Sequence, residues 1–173
     1  TSNRVNKELD LNFYIMNSHH TVAIGTWEGD KQQSIEYNSS IAVGIDCPRA
    51  KLRVSILLDT IQEYQVRYIF SDEEISEAVN EAGLIIGARG IAYEGVLQRK
   101  PVIVVGEYGF GGLVTPDTLH EQYNNYFRGK INGIKAEYFS LERLEEEIRR
   151  GFALTFQELQ MMSNQTIRFL HNI

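Results

Sequence analysis

The chain has 173 residues, with 17 Lys and Arg against 23 Asp and Glu, so it carries a formal charge of −6. With 43% hydrophobic and 23% charged residues it reads as globular, not disordered. The acidic balance argues against nucleic acid or an anionic membrane as a general partner, since phosphate binding needs clustered Lys and Arg.

The lone cysteine, Cys47, excludes an internal disulfide and fits a reducing, cytoplasmic compartment. No apolar run approaches the roughly 20 residues needed to span a bilayer, and no signal peptide is visible. The length suits one domain over residues 1–173. Because the chain begins at Thr1 and not Met, the reading includes excision from a longer protein.

Residues 1–10 are polar and read as a loose end. Leu11–Met16 and Thr21–Trp27 read as two strands joined by a turn at Asn17–His20. Glu28–Lys31 breaks the pattern, Ser34–Tyr37 is ambiguous, and Ile41–Ile45 is a clear short strand. Pro48 suits the first turn of a helix, and Val54, Leu57, Leu58 and Ile61 give it one buried stripe. Val66–Phe70 is the next strand. Ser71 and Glu74 have capping-box spacing, ahead of a helix with Ile75, Ala78, Val79 and Ala82 inward.

From Gly83 to Gly112 the chain reads as strand, glycine turn, short helix, strand and a second glycine loop. Leu84–Ile86 and Val102–Val105 are apolar without alternation, which suits strands covered on both faces of a parallel sheet. Gly90–Gln98 between them is a crossover helix, completing a βαβ unit. Thr115-Pro116 looks like the start of a helix with Leu119, Tyr123, Tyr126 and Phe127 on one face and Gly129 as its stop. Ala136–Phe139 reads as a last strand. Ser140 caps a helix with Leu141, Leu144, Ile148 and Phe152 inward and Glu142, Glu145, Glu146 and Glu147 outward. Thr155 and Glu158 repeat the capping-box spacing and open a final helix through Leu170. This alternation predicts an α/β fold: a Rossmann-like, doubly wound parallel sheet with a short N-terminal β addition and C-terminal helices.

Ligands of open α/β sheets bind outside the carboxyl ends of the strands, and both glycine turns fall there. Gly87, Ala88, Arg89 and Gly90 pass from strand to helix, where unpaired N–H groups and the helix dipole attract an anion. Arg89 adds a guanidinium suited to phosphate. Glu94, one turn into the helix, has two oxygens able to accept the hydroxyls of a ribose or sugar, and Tyr93 offers a ring for a base. The competing reading makes Glu94 a solvated helix residue and Tyr93 a packing aromatic. Gly106, Glu107, Tyr108, Gly109, Phe110, Gly111 and Gly112 form a loop dense enough in glycine for its amides to approach a ligand.

Asp46, Ser71 and Asp72 end two other strands and are secondary candidates. Several chemistries find no residues. His19, His20, His120, His171 and Cys47 show no metal-ligand spacing, so no bound metal or other cofactor is expected. There is no Gly-x-Ser-x-Gly elbow, no Asp-x-Asp pair, no phosphate-binding loop ending in Gly-Lys-Ser/Thr and no dinucleotide-binding Gly-x-Gly-x-x-Gly turn after Ile45. No residue is assigned as catalytic.

The run Gly87-Ala88-Arg89-Gly90-Ile91-Ala92-Tyr93-Glu94-Gly95-Val96-Leu97, then Arg99-Lys100-Pro101-Val102-Ile103-Val104-Val105, resembles the C-terminal half of GT-B glycosyltransferases. It is similar to that of bacterial polysaccharide-forming enzymes and the related sugar-nucleotide epimerases. The resemblance implies a domain that holds a nucleotide-diphosphate sugar as substrate: diphosphate at Gly87–Gly90, ribose at Glu94, sugar beside the loop from Gly106. It also implies a second domain or partner subunit carrying the acceptor site. The chain departs from the family pattern at Arg89, at Gly95 in place of alanine, and at Arg99 in place of glycine.

Two functions follow. The first is the nucleotide-sugar-binding domain of a glycosyltransferase that transfers sugar without a metal, with amides and Arg89 stabilising the leaving diphosphate. The second is a non-catalytic ligand-sensing or assembly domain of a larger protein, binding a small anionic or sugar ligand. It predicts a homodimer through the aromatics Tyr123–Phe127 or the last helix.

Overall fold

The computed structural model describes residues 38–130, 133–135 and 137–172. The strands expected at Leu11–Met16 and Thr21–Trp27, with His19 and His20 in their turn, lie outside these residues.

Five strands form one sheet in the order β2-β1-β3-β4-β5. They are β1 (Ser40–Gly44), β2 (Gln65–Tyr68), β3 (Leu84–Gly87), β4 (Val102–Gly106) and β5 (Gly109–Leu113). The first four are parallel, and β5 returns antiparallel along β4. The helices are α1 (Pro48–Ile61), α2 (Ile75–Glu81), α3 (Gly90–Leu97), α4 (Leu119–Asn124), α5 (Leu141–Phe152) and α6 (Phe156–His171). A 3₁₀ turn over Asp72–Glu74 leads into α2.

Strand residues alternate between two cores, as a sheet covered on both faces requires. Ile41, Val43, Leu84, Ile86, Ile103 and Val105 pack with Val54, Leu57 and Leu58 of α1 and Leu144 and Ile148 of α5. Ala42, Ile85, Val102 and Val104 pack with Ala78 and Val79 of α2, Ile91, Ala92 and Val96 of α3, and Leu159 and Met162 of α6. The α/β, doubly wound class is therefore as expected. The start signals also hold. Pro48 opens α1, the Ser71 and Thr155 capping boxes both form, and the Ser140 hydroxyl accepts from the Arg143 amide.

Four expectations change. The sheet is not wholly parallel, because the second glycine loop is a hairpin: Glu107 and Tyr108 turn the chain and Gly109–Leu113 is an edge strand. Residues 137–139 form a turn and irregular chain, not a strand. The helix after Thr115 starts only at Leu119 and stops at Asn124, so Tyr126 and Phe127 follow it with φ of 56° and 50°. Glu147 does not face solvent with its neighbours. It is 1% exposed and accepts the Leu113 amide at 3.0 Å.

Of the two departures from the GT-B pattern outside the turn, Gly95 has a packing reason and Arg99 has none. A Cβ on Gly95 would sit 2.6 Å from Val102 Cγ2 and 3.1 Å from Ile85 Cγ1, so α3 lies too close to the sheet for alanine. Arg99 stops α3 at φ +59°, a left-handed conformation that glycine adopts without strain.

Candidate functional site

The carboxyl ends of β1, β3 and β4 and the β4–β5 turn make one rim. Gly44 and Gly87 are paired in register there, at the point where the strand order reverses. The Ile91 side chain fills this crevice: its Cγ2 would lie 2.6 Å from a Cβ on Gly87, and its Cδ1 2.7 Å from one on Gly44. The crevice between the two strands is therefore filled by the protein's own side chain.

Arg89 is the last residue before α3, with φ 56° and ψ −125°, a conformation costly for any side-chain-bearing residue. Its amide donates to Phe127 O at 2.9 Å, and the Ala88 amide donates to Gly44 O at 3.4 Å. Those two amides of the expected anion turn are thus taken by the protein itself. The next three, Gly90, Ile91 and Ala92, have no acceptor among the described residues. They are the unpaired first-turn donors of α3, carrying the positive end of its dipole.

The Arg89 side chain is half-exposed and donates to the Glu107 carboxylate. That hydrogen bond, then the charge of Glu107, raises the guanidinium's pKa further, and Asp46 adds to the attraction. Reciprocally, the Arg89 hydrogen bond holds Glu107 below the usual carboxylate range. A second guanidinium, Arg128, brings its Nε to 3.2 Å from the same Glu107 oxygen, near enough for attraction but not aligned as a hydrogen bond. Arg128 lies between two exposed tyrosine rings, 5.7 Å from the Tyr108 centroid and 5.3 Å from that of Tyr126, and donates to the Tyr108 hydroxyl at 3.1 Å. Two cations thus share one carboxylate at the open edge of the sheet.

The residues singled out in the sequence divide accordingly. Gly87, Ala88, Arg89, Gly90, Gly106, Glu107 and Tyr108 meet at the rim, with Asp46 close by. Tyr93 does not offer its ring to a base. It packs edge-on against Phe127 at 4.7 Å and Tyr123 at 5.9 Å, and burial raises its phenol pKa. Glu94 accepts from Gln98 Nε2 at 2.6 Å, and the same nitrogen reaches Ser76 O at 3.3 Å, so the carboxylate is tied back along α3 toward α2.

The hairpin glycines make room for neighbouring chain, Gly106 and Gly109 for backbone and Gly111 and Gly112 for side chains. A Cβ on Gly106 would lie 2.5 Å from Arg128 O, and the Tyr108 and Phe110 amides donate to Arg128 O and Ile134 O. Gly109 lies against Gly129 and Ile134. Gly111 and Gly112 run away from the rim, next to Gln122 and Glu147. Ser71 and Asp72 belong to the cap of the 3₁₀ turn. The aromatics Tyr123 and Phe127 are spent on contacts with Tyr93, and Tyr123 also meets Phe169 of α6.

Sequence reasoning missed Arg128 and Tyr126. A spacing pattern cannot show them, because two successive left-handed residues carry Arg128 back over the hairpin. Among the described residues, five that are not glycine have positive φ. Gln62 and Arg99 merely end helices, whereas Arg89, Tyr126 and Phe127 converge on this rim. Strain of this kind costs about 1–3 kcal/mol per residue and concentrates at functional positions.

No protein-family model matches the chain, and no curated protein matches it. Among solved structures, it is similar to a signal receiver domain of a two-component signal transduction histidine kinase from Clostridium thermocellum. That likeness has 16% identity and a TM-score of 0.40, covering 68% of this chain and 99% of that one. Among the described residues, no helix is long and apolar enough to cross a membrane.

Proposed function

We propose that this domain binds a small phosphorylated ligand at the rim where α3 begins. One observation carries the reading: the amides of Gly90–Ala92 have no acceptor among the described residues, and Arg89, the residue immediately before them, carries a half-exposed guanidinium at the same rim. Helix N-termini and arginine are complementary to phosphate by dipole, donor geometry and charge. Arg128, with its two tyrosines, supplies a second cation and an aromatic surface beside the phosphate.

Within this class, the likeness of Gly87–Val105 to GT-B enzymes favours a nucleotide-diphosphate sugar, and so the donor-binding half of a glycosyltransferase completed by a second domain. Glu94 separates that reading from simple phosphate sensing. A ribose contact needs its carboxylate to leave Gln98, whereas phosphate recognition ignores it. Calorimetry with uridine, guanosine, cytidine and adenosine diphosphates tests both. Binding that is abolished by Arg89→Ala supports the rim site; a further loss on Glu94→Ala for a single nucleotide supports the donor role. Absence of binding by all four at millimolar concentration would overturn the proposal in both forms.

A further inference from the structure

We infer that Glu107 is the rim's own stand-in for a ligand anion, and that it sets which charge a ligand must carry. The inference rests on the phosphate-binding reading above and adds to it the rule by which the site selects. The expectation from sequence gave Glu107 a place beside a bound sugar; the geometry gives its carboxylate a competing role.

Three observations bear on it. The Glu107 carboxylate takes a hydrogen bond from Arg89 and lies 3.2 Å from Arg128 Nε, so one acidic group occupies the space between both guanidiniums. Its side chain is 43% exposed and belongs to neither hydrophobic core, so a change of its rotamer leaves the core as it is. The backbone beneath is fixed: the Tyr108 and Phe110 amides are held by Arg128 O and Ile134 O, at 2.9 and 2.8 Å. The carboxylate can therefore turn away without moving the hairpin backbone.

Selectivity follows from counting charge. A singly charged ligand that displaces Glu107 replaces one carboxylate by another and must also give up its translational freedom, so it gains almost nothing. A phosphate group carrying nearly two charges adds a second interaction with the paired guanidiniums and also meets the α3 amides. Exposed ion pairs are weak, which keeps the displacement step cheap. The rim thus excludes carboxylate metabolites and admits phosphate, without any group that recognises phosphorus itself.

The test is calorimetry at pH 8 with inorganic phosphate and with acetate, on the wild type, Glu107→Gln and Arg89→Ala, with folding of each checked by thermal unfolding. The wild type binds phosphate and not acetate. Glu107→Gln tightens phosphate about fivefold and makes acetate binding measurable, so the discrimination narrows, while Arg89→Ala loses both. If Glu107→Gln leaves the phosphate-to-acetate ratio unchanged, or weakens phosphate, while Arg89→Ala still abolishes binding, the rim site stands and the stand-in role of Glu107 is wrong. If neither the wild type nor Glu107→Gln binds phosphate, the binding reading fails and takes this inference with it. Glu107→Ala repeats the comparison should the amide of glutamine itself bridge the arginines.

Discussion

Two places in this molecule set one glutamate between two arginines, and they do opposite work. On α5, Glu147 lies between Arg143 at 3.0 Å and Arg150 at 3.4 Å, with its side chain 2% exposed. It also accepts the Leu113 amide, so it closes the outer edge of β5. At the rim, Glu107 lies between Arg89 and Arg128 with its side chain 43% exposed, and it accepts no backbone amide among the described residues. Composition is the same in both. Burial and the backbone bond decide that the first cluster holds the fold and the second is free to be exchanged.

Edge closure explains why the buried cluster is needed. β5 reads Gly-Phe-Gly-Gly-Leu, a poor strand by propensity and an open template for pairing. The Phe110 amide is taken by Ile134 O, the Gly111 carbonyl by Gln122 Nε2 and the Leu113 amide by Glu147. Removing Glu147 therefore has the largest expected effect. Glu147→Ala leaves an amide and two guanidiniums without their partner and lowers stability by about 2–4 kcal/mol. Urea denaturation measures it, and a loss below about 1 kcal/mol would make the two clusters equivalent.

Lys100 sharpens the comparison by being a buried charge with no carboxylate partner among the described residues. It is 2% exposed, its Nζ donates to Asn80 O at 3.1 Å, and burial lowers its pKa to about 8. Between about pH 8 and the unfolded value of ~10.4, the unfolded chain holds this proton and the folded chain does not, so stability rises with pH. The gain approaches roughly 2–3 kcal/mol by pH 10, and below pH 8 the full penalty of the buried charge remains. Denaturation midpoints from pH 7 to 10 should climb in the wild type and stay flat in Lys100→Met. Parallel curves would show that the amine is not desolvated.

A smaller effect probes the strain at the rim. Arg89→Gly relaxes the backbone at φ 56° and raises stability by about 1 kcal/mol, while removing the guanidinium on which the proposed phosphate site depends. A gain in melting temperature with loss of phosphate binding is the expected pairing, a trade of stability for function. Stability that falls instead would mean the Glu107 contact outweighs the backbone. The smallest effect is at Glu107 itself: its replacement by Gln leaves the melting temperature nearly unchanged, because exposed ion pairs contribute little to stability.

The same contrast explains what could be read in the sequence. β3 and β4 were legible because both faces are buried, so every position from Leu84 to Ile86 and Val102 to Val105 is apolar. The helix starts at Pro48, Ser71, Ser140 and Thr155 were legible because caps are local chemistry, whereas Thr115-Pro116 opens a turn and the helix begins at Leu119. β5 was not, because its pairing is fixed by distant partners and not by its own residues. Glu147 was hidden within an acidic run, although its spacing of three from Leu144 sets it at the margin of the inward stripe. At the site, Arg89 and Glu107 were legible as residues ending strands. Arg128 and Tyr126 were not, because a pair of left-handed residues brings them in, and no local pattern announces that geometry. Glu94 and Tyr93 fell on the right helix, but packing with Gln98, Tyr123 and Phe127 claims their side chains.

Anion binding on the first turn of α3 is reported directly by backbone resonances. In a titration of the ¹⁵N-labelled protein with inorganic phosphate, the amides of Gly90, Ile91 and Ala92 and the Arg89 side-chain N–H should shift together and saturate along one curve. Shifts scattered over lysine-bearing surfaces, with that turn silent, would contradict the account.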